Sequence, residues 1–443
     1  MRLKRPILAL TALLSLLAPL GVAAQDGNPS DTPPKPEDLL GNIVVVAGAT
    51  RPLPRIAVLP SRSFDMEDVT MRMVARRDLD LCGEFELLPD SEAPEEAQSA
   101  EGVNTAIWAR KKVEALVGVS ARPIEGQDKV EMRARVYLVA HGDKPVLDRR
   151  FVVPASDLRA EAHRLVDIVI GGLTGQNGGF ASHMTFASGT GKLRRAFTID
   201  ADGFDPKPVS PTDQIALAPA YGKGEELYWS ASTNNGEYKI RSASGNTFDL
   251  PIKGSVYGLA FSKDRSQVAV SIGVDDTIKL FVGPDFASLQ PATEVGMALR
   301  PTFTPSGKLA FAGAGRWGQR IYVDGKPISP DGLFASAPTF CNHPDGVRAV
   351  YAVGVGKDTD LIATGERGGD MVRLTQGQGR NGYPACSPDG RLVAFFSTRT
   401  SGEGPGLYIM RLDGGRPKRI STLLGDSLRW DALPPGRAVE VKN

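Results

Sequence analysis

Cysteine and histidine are both scarce in this chain, which has three cysteines and four histidines among 443 residues. An odd, sparse set of cysteines does not make a disulfide framework. We therefore expect small buried thiols at Cys82, Cys341 and Cys386, although one bridge stays open as an alternative. The four histidines are scattered and show no metal-ligand spacing. The sequence thus predicts no metal site and no cofactor.

Catalytic motifs are also lacking. No serine has the G-x-S-x-G spacing of a hydrolase nucleophile. Residues 189–192, GTGK, begin like a phosphate loop, but Leu193 replaces the required Ser or Thr, so we interpret them as a hairpin turn. Residues 200–203, DADG, begin like a calcium loop, but Pro206 interrupts the ligand pattern, so we interpret them as a turn. None of these motifs therefore predicts a catalytic site, although a site can also be built from residues that are far apart in the sequence.

No apolar run of membrane-spanning length follows residue 24, and the chain has no excess of one charge. Arg2, Lys4 and Arg5 precede a short apolar run that ends in small residues, which is typical of a signal peptide, residues 1–24, cleaved after Ala24. The alternative is an anchored helix, but the run is too short to span about 30 Å of hydrocarbon comfortably. Cleavage moves the formal charge from +1 to −2. We expect a soluble exported protein without a nucleic-acid or membrane partner.

A turn of the Pro-Asp-Gly type recurs along the second half of the chain. YPACSPDGRLVAFFS, residues 383–397, places the turn between two apolar runs, and RPTFTPSGKLAFA, residues 300–312, repeats the pattern. The intervals between copies are 37 to 46 residues. A period of this length indicates a repeat architecture. The equivalent positions are Tyr221, Phe261, Phe303, Phe340, Cys386 and Trp430.

Each copy has the composition of four short strands. The turn joins two antiparallel strands, because Pro and Gly supply its backbone angles. Runs such as LVAFFS are rich in β-formers, and a third strand and a polar edge strand follow, as in GLYIMRLDG and PKRIS. A single sheet of this kind leaves one face exposed to solvent, whereas sheets that are arranged around a common axis bury both faces against their neighbours. The repeat therefore predicts a β-propeller.

The two ends of the repeat region complement each other. The first copy, from about Phe180, lacks an innermost strand, and residues 427–433, SLRWDAL, form an innermost strand without a following unit. Pairing them would leave no open sheet edge at the seam. We therefore assign residues 176–435 to an all-β six-bladed β-propeller closed by a C-terminal strand, and residues 436–443 to a tail.

The chain before the propeller mixes helix and strand patterns. KVEMRARVYLVA and VLDRRFVVP indicate a hairpin pair, and a later helix places one apolar stripe on Leu158, Ala162, Leu165 and Val169. We predict a small α/β domain over residues 42–175, after a Pro- and Asp-rich flexible leader, residues 25–41. The fold class is therefore two-domain, with the α/β domain first and the propeller second.

These pieces, in this order, resemble the TolB family of the Tol-Pal envelope system. YPACSPDGRLVAFFSTRTSGEGPGLYIMRLDGGRPKRIS, residues 383–421, is similar to the family's blade consensus P-x-W-S-P-D-G-x-x-I-A-F-x-S. NIVVVAGATRPLPRIAVLPSRSF, residues 42–64, is similar to the family's start, which has an apolar arm, a spacer and a first strand. Cys386 or a Phe replaces the blade tryptophan in most copies, and Trp430 keeps it.

The resemblance implies a non-catalytic periplasmic scaffold that serves outer-membrane integrity and cell division. In the family, the arm engages the inner-membrane protein TolA, and a propeller face binds the lipoprotein Pal of the outer membrane. We expect TolA-like and Pal-like partners and a monomeric protein, and we assign no residues to the Pal-like contact. By position, the arm consists of Asn42, Ile43, Val44, Val45, Val46 and Ala47.

The sequence leaves two questions open. The arm has four β-branched residues in a row, which suits pairing with the sheet edge of a partner. It is equally compatible with an edge strand of its own domain, and both would hold if the arm alternates between docked and released states. The alternative function is a secreted β-propeller enzyme or ligand-binding module with its site at the central channel. Carboxylates converging there from several blades would favour this alternative.

Overall fold

The computed structural model describes residues 35, 39–40, 44–45, 52–61, 63–94, 103–233, 236–433 and 435–441. The predicted signal peptide lies outside the described residues, as does most of the predicted leader. Within the described part of the chain, no helix has the length and apolar character needed to cross a membrane. The described residues form an α/β domain and a β-propeller.

The α/β domain is built from three α-helices and a mixed sheet. The helices are α1 (Met66–Leu81), α2 (Thr105–Ala109) and α3 (Leu158–Thr174). The strands that precede the propeller are β1 (Val44–Val45), β2 (Arg55–Val58), β3 (Glu86–Leu87), β4 (Ala115–Pro123), β5 (Lys129–Leu138) and β6 (Leu147–Pro154).

The sheet of the α/β domain has the order β3-β2-β4-β5-β6, with parallel pairing of β2 to β3 and β4 and antiparallel pairing beyond. Side chains of β5 alternate between buried and partly exposed, as a strand with one covered face requires. Helices α1 and α3 cover that face through their apolar stripes. The predicted β5–β6 hairpin and the buried stripe of α3 are both present in the structure.

Six four-stranded blades form the propeller. The first three contain β7 (Ser182–Ser188), β8 (Arg195–Asp200), β9 (Lys207–Pro208); β10 (Ala216–Tyr221), β11 (Leu227–Ser232), β12 (Tyr238–Ser242), β13 (Thr247–Phe248); β14 (Ser255–Phe261), β15 (Val268–Val274), β16 (Thr277–Gly283), β17 (Gln290–Pro291). The next three contain β18 (Leu299–Phe303), β19 (Leu309–Ala314), β20 (Gln319–Val323), β21 (Lys326–Pro327); β22 (Ala335–His343), β23 (Gly346–Val355), β24 (Asp358–Gly365), β25 (Val372–Arg373); β26 (Asn381–Cys386), β27 (Leu392–Ser397), β28 (Gly406–Arg411), β29 (Lys418–Ser421).

The C-terminal strand β30 (Asp426–Ala432) closes the ring. It is the innermost strand of blade 1 and pairs antiparallel with β7, so that Trp430 lies opposite Met184. The indole Nε1 of Trp430 donates a hydrogen bond of 2.8 Å to the Ser182 hydroxyl. The predicted six-bladed propeller, closed by a C-terminal strand that completes the first blade, is therefore confirmed.

The predicted tail contains one more strand, β31 (Val439–Glu440). It returns to the α/β domain and pairs antiparallel with Val152 and Phe151 of β6. The sequence did not indicate this strand, because two residues carry no periodicity. After closing the propeller, the chain thus adds a sixth strand to the first domain.

The turn of blade 6 shows why the repeated motif ends in glycine. Gly390 has φ +78° and donates its backbone N–H to the carbonyl oxygen of Ser387 at 2.9 Å. A Cβ at this position would lie 2.2 Å from the carbonyl oxygen of Asn342 in blade 5. Glycine is therefore required both by the backbone conformation and by the close approach of the neighbouring blade.

The expectation of three buried thiols is wrong for two of the cysteines. Cys341 on β22 and Cys386 on β26 form a disulfide, with a Cα–Cα distance of 5.1 Å. Their strands are innermost in adjacent blades, so a separation of 45 residues along the chain becomes a contact between neighbours. Cys82 remains a buried free thiol. The spacing of the cysteines along the chain did not predict the bridge, because the bridge connects the innermost strands of two neighbouring blades and does not close a short local loop.

Candidate functional site

The two described residues of the arm lie on the propeller rather than in the α/β sheet. Val44 and Val45 pair in parallel with Val372 and Arg373 of β25, the outermost strand of blade 5. Blade 5 thereby becomes a five-stranded sheet with the order β1-β25-β24-β23-β22. The interpretation of the arm as an edge strand of its own domain is wrong for these two residues. The other four arm residues, Asn42, Ile43, Val46 and Ala47, lie outside the described part of the chain.

A short helical segment just before the arm is also seated against the propeller. Leu40 is 5% exposed and belongs to an apolar cluster with Ile321 of blade 4 and Tyr351 of blade 5. Leu39 is half-buried against the same cluster. Backbone pairing at β25 and apolar anchoring between blades 4 and 5 thus hold two consecutive parts of the segment.

The outer strands of blades 4 and 5 border a surface cavity of about 360 Å³. Ile328 and Met371 line it and also pack against the cluster that contains Leu40. Arg320 and Asp370 bring one positive and one negative charge to its wall. The apolar surface that contacts Leu40 therefore continues into an open groove between blades 4 and 5.

The central channel is shaped by a β-bulge in each innermost strand. Five of the six described innermost strands place a non-glycine residue with positive φ at the bulge, a conformation that costs energy outside glycine. These residues converge on the axis, and four of them directly precede a proline. They are Ala218, Arg300, Ala337, Tyr383 and Ser427.

The space left inside the channel is small. The cavity lined by these bulges has a volume of about 30 Å³ and is bordered by residues from all six blades. Such a volume holds about two water molecules, whereas sites for small organic ligands occupy roughly 300–1,000 Å³. This cavity is therefore smaller than the sites that hold small organic ligands.

Arginines, rather than converging carboxylates, line the channel. The guanidinium of Arg429 donates to the carbonyl oxygens of Pro301 at 2.6 Å and of Leu259 at 3.2 Å, which connects three blades. Burial lowers the pKa of Arg429 to about 10, and the adjacent Arg300 adds to this shift. Arg300 in turn contacts the Tyr383 ring at 4.9 Å.

The closing strand β30 carries two carboxylates, Asp426 and Asp431. Asp426, near one end of the strand, is paired with Arg194. Asp431, near the other end, is paired with Arg265 of blade 3. Each carboxylate is therefore already paired with an arginine, from blade 1 for Asp426 and from blade 3 for Asp431. This arrangement differs from the multi-blade carboxylate cluster that the enzyme alternative requires.

A second group of ionisable residues lies between the domains. Asp78 on α1, His163 on α3 and Asp202 after β8 offer potential ligand atoms that all lie within 4.8 Å of one another. All three side chains are buried. The Nδ1 atom of His163 is 2.7 Å from Oδ2 of Asp78. These residues come from three separate elements, which explains why no spacing along the chain revealed them.

The contacts of these three residues fit ion pairing better than metal binding. One carboxylate oxygen of Asp202 accepts from the Arg159 guanidinium, and the other accepts from the backbone N–H of Phe204 at 3.0 Å. The Asp78 carboxylate raises the pKa of His163 to about 9 in spite of its burial, so a proton occupies the imidazole nitrogen that a metal would need. Arginine and imidazolium thus already supply the positive charge.

The two motif-like turns have structural roles. Residues 189–192 lie in the connection between β7 and β8, as the hairpin interpretation predicted. Asp200 and Asp202, from the DADG stretch, both bind Arg159 of the α/β domain. That stretch is a turn, as predicted, but its acidic residues contribute to the contact between domains, which the sequence did not indicate.

Comparison with known proteins shows that the chain is similar to TolB proteins. Residues 41–144 match the model of the TolB amino-terminal domain. Over 230 residues the chain is 25% identical to the Tol-Pal system protein TolB of Coxiella burnetii, which covers 50% of this chain and 48% of the relative. Over 186 residues it is 27% identical to the Tol-Pal system protein TolB of Nitrosococcus oceani, which covers 40% of this chain and 42% of the relative. The chain thus spans about half the length of these curated relatives.

A solved structure extends the similarity of the fold to both domains. The crystal structure of TolB from Acinetobacter baumannii superposes with a TM-score of 0.69 at 19% identity. The superposition covers 87% of this chain and 98% of the solved chain. At this identity the match supports the architecture, namely an α/β domain followed by a six-bladed propeller.

Proposed function

We propose, on the premise that this chain is a TolB-type protein, that it is a non-catalytic protein-binding scaffold of the Tol-Pal system in the periplasm. In this role it links a TolA-like protein of the inner membrane to a Pal-like lipoprotein of the outer membrane. The link would serve outer-membrane integrity and cell division. The arm, residues 42–47, is the proposed contact for the TolA-like partner.

The pairing of Val44 and Val45 with β25 is the observation that carries this proposal. Strand addition uses backbone N–H and C=O groups, and a sheet edge in another protein offers the same groups. A strand that adds to blade 5 is therefore equally suited to add to a partner. The same backbone edge cannot pair with both at once, so we propose a docked state on β25 and a released, partner-bound state.

The narrow channel supports a protein partner over a small ligand. A cavity of about 30 Å³ excludes a drug-sized molecule, and the carboxylates of the closing strand are already paired with arginines. A protein needs an accessible surface instead of an enclosed pocket.

The α/β domain restricts where a second partner can bind. Arg391, next to the turn of blade 6, donates to the carbonyl oxygens of Gln176 and Asn177 in the connection between the domains. Arg391 and Arg411 of blade 6 also pair with Glu84 of the α/β domain, which therefore occupies this face of the propeller. We propose that the Pal-like partner binds the opposite face, which a second protein can reach without displacing the α/β domain.

Deleting residues 42–47 tests the proposed role of the arm. The deletion should abolish binding to the TolA-like protein of the same organism, measured by titration calorimetry, and leave the melting temperature of the propeller almost unchanged. Binding of the Pal-like lipoprotein should be retained, because it uses another surface. The matched control deletes six residues of the leader, residues 28–33, and should bind both partners normally.

Three outcomes would count against the scaffold. Loss of the folded state in the deletion variant would make the arm a structural strand. Unchanged TolA-like binding would place the contact elsewhere. If the full-length mature protein binds neither partner, the proposed link between the membranes is wrong.

A further inference from the structure

The α/β domain and blade 1 enclose a group of ionisable side chains that neither the arm nor the channel uses. Its members come from helix α1, helix α3 and the turn after strand β8. We name this group the interdomain cluster, and it consists of Arg77, Asp78, Arg159, His163, Asp167, Asp200 and Asp202.

Direct polar contacts across the interface run through two arginines. Arg159 donates from Nε to Asp200 at 3.0 Å and from Nη2 to Asp202. Arg77 donates to the backbone carbonyl oxygen of Asp202 at 3.2 and 3.1 Å. Helices α1 and α3 are thereby both attached to one turn of blade 1.

Asp167 connects the cluster to the segment that leads into the propeller. Its two carboxylate oxygens accept from the backbone N–H groups of Phe180 at 2.9 Å and of Ala181 at 2.7 Å. These residues immediately precede β7, the strand that pairs with the closing strand. The charge state of Asp167 therefore acts on the chain at the point where one domain passes into the other.

The charges of the cluster do not balance. Four carboxylates face three cations, and one of these cations, His163, is positive only when protonated. Oδ1 of Asp78 and Nε2 of His163 are buried without a hydrogen-bond partner among the described residues. A buried carboxylate that lacks full compensation favours its protonated form.

The pKa shifts follow from this imbalance. Burial raises the pKa of Asp78 to about 6 and that of Asp167 to about 7. Burial alone would lower the pKa of His163, but the Asp78 carboxylate outweighs it and raises that pKa to about 9. All three groups thus hold protons more tightly in the folded protein than in the unfolded chain.

We infer that the interdomain cluster is a pH-sensitive latch, which holds the α/β domain on blade 1 at neutral and mildly acidic pH and weakens as the pH rises. The contribution of His163 is fully present below its ordinary pKa of 6.5 and is lost as the pH passes about 9. Ionisation of Asp167, whose pKa is about 7, adds negative charge, and ionised Asp78 loses its compensating cation when His163 gives up its proton. Blade 6 adds the ion pairs of Glu84 with Arg411 and of Asp80 with Lys418 to the contact between the domains, so substitutions within the cluster are needed to assign the pH dependence to it.

Calorimetric unfolding of the full mature chain tests the latch. At pH 6.5 the two domains should unfold in one transition. At pH 9.5 the transition should divide in two, with the α/β domain melting about 5 °C or more below the propeller. One transition at every pH would overturn the inference.

Two substitutions show whether the cluster is responsible. His163→Gln should produce two transitions already at pH 6.5, whereas His141→Gln, at an exposed histidine of the same domain, should behave like the wild type. Asp78→Asn removes the carboxylate that keeps His163 protonated, so the change between pH 6.5 and 9.5 should become smaller than in the wild type, with Asp167 as its remaining source. If either cluster variant keeps the wild-type pH response, the latch does not operate through these residues.

Two further measurements make the test independent of how well the variants fold. The His163 imidazole of the wild type should titrate near pH 9 by NMR, and titration near 6.5 would contradict the proposed pairing. Adding zinc chloride should leave the transitions unchanged at both pH values. If zinc restores a single transition at pH 9.5, the cluster is a metal site and the latch is wrong.

Discussion

At the scale of single residues, Arg429 shows how the propeller fills its own axis. The side chain starts on the closing strand and reaches the carbonyl oxygens of Leu259 in blade 3 and Pro301 in blade 4. These carbonyl groups belong to bulged strands, where the regular ladder of the sheet is interrupted. The arginine thus supplies a donor to backbone carbonyl groups of two blades other than its own.

We predict that Arg429→Leu destabilises the protein, because two buried carbonyl groups lose their donor. The free energy of unfolding should fall by about 2 kcal/mol or more, measured by urea denaturation. Arg437→Leu is the matched control, since that side chain is 77% exposed, and it should change the value by less than about 0.5 kcal/mol. Equal effects of the two substitutions would show that Arg429 is not a structural bridge.

The disulfide is a second feature at this scale. Because Cys341 and Cys386 are 45 residues apart, their bridge shortens the unfolded chain by a large loop. In the chain-entropy model this stabilises the folded state by about 4 kcal/mol. Cys341→Ser should lower the denaturation midpoint and make it insensitive to reductant.

Cys82→Ala provides the comparison for that substitution. It removes a buried thiol that donates to the Leu79 carbonyl oxygen at 3.2 Å, but it leaves the bridge intact. This variant should lose less stability than Cys341→Ser and should stay sensitive to reductant, as the wild type does. If reductant leaves the wild type unaffected, the bridge contributes no stability.

At the scale of elements, the closing strand β30 differs from the terminal strand β31 in what each one completes. Strand β30 supplies the innermost edge of blade 1 and carries the buried Leu428. Strand β31 adds two residues to an existing sheet, and both are exposed. Removing β30 opens a ring, whereas removing β31 only uncovers an edge.

Two truncations should separate these roles. Ending the chain after residue 425 should lower the melting temperature strongly or prevent folding, because blade 1 and the channel lose their inner strand. Ending it after residue 435 removes only β31 and should shift the melting temperature by a few degrees. Near-ultraviolet circular dichroism during heating measures both effects. A stable propeller without β30 would contradict closure by that strand.

The sequence predicted the strands that belong to the repeat, because each copy of the repeat shows which strands pair with one another. Six copies of one turn-and-strand pattern define the register of every blade, and Trp430 identifies the copy whose remaining strands lie at the other end. The position of β1 on β25 and of β31 on β6 depends on long-range pairing of two-residue strands, which carry no pattern. The sequence did not indicate the interdomain cluster for the same reason, because its members are separated by up to 125 residues along the chain and meet only after folding.

At the scale of the whole molecule, the two domains share one apolar core. A continuous cluster joins Leu165 of α3 to Phe186 of blade 1 and Phe396 of blade 6. Blades 3 and 4 pack around a separate cluster that contains Leu280. The α/β domain should therefore stabilise the seam of the propeller, where blades 1 and 6 meet, more than the far side of the ring.

Hydrogen exchange at pH 6.5 can locate this coupling in the intact chain. Leu165→Ala removes a side chain that is 1% exposed and should cost about 2–5 kcal/mol of stability. Its effect should cross the domain boundary, with faster exchange in β7 and β27 as well as in α3. Leu280→Ala, at a fully buried leucine of blade 3, should cost a similar amount but accelerate exchange only in blades 3 and 4. Cooperative unfolding requires that a loss of packing in one domain lowers the stability of the other. If Leu165→Ala leaves the exchange rates of β7 and β27 unchanged, the two domains are therefore in contact but do not stabilise each other.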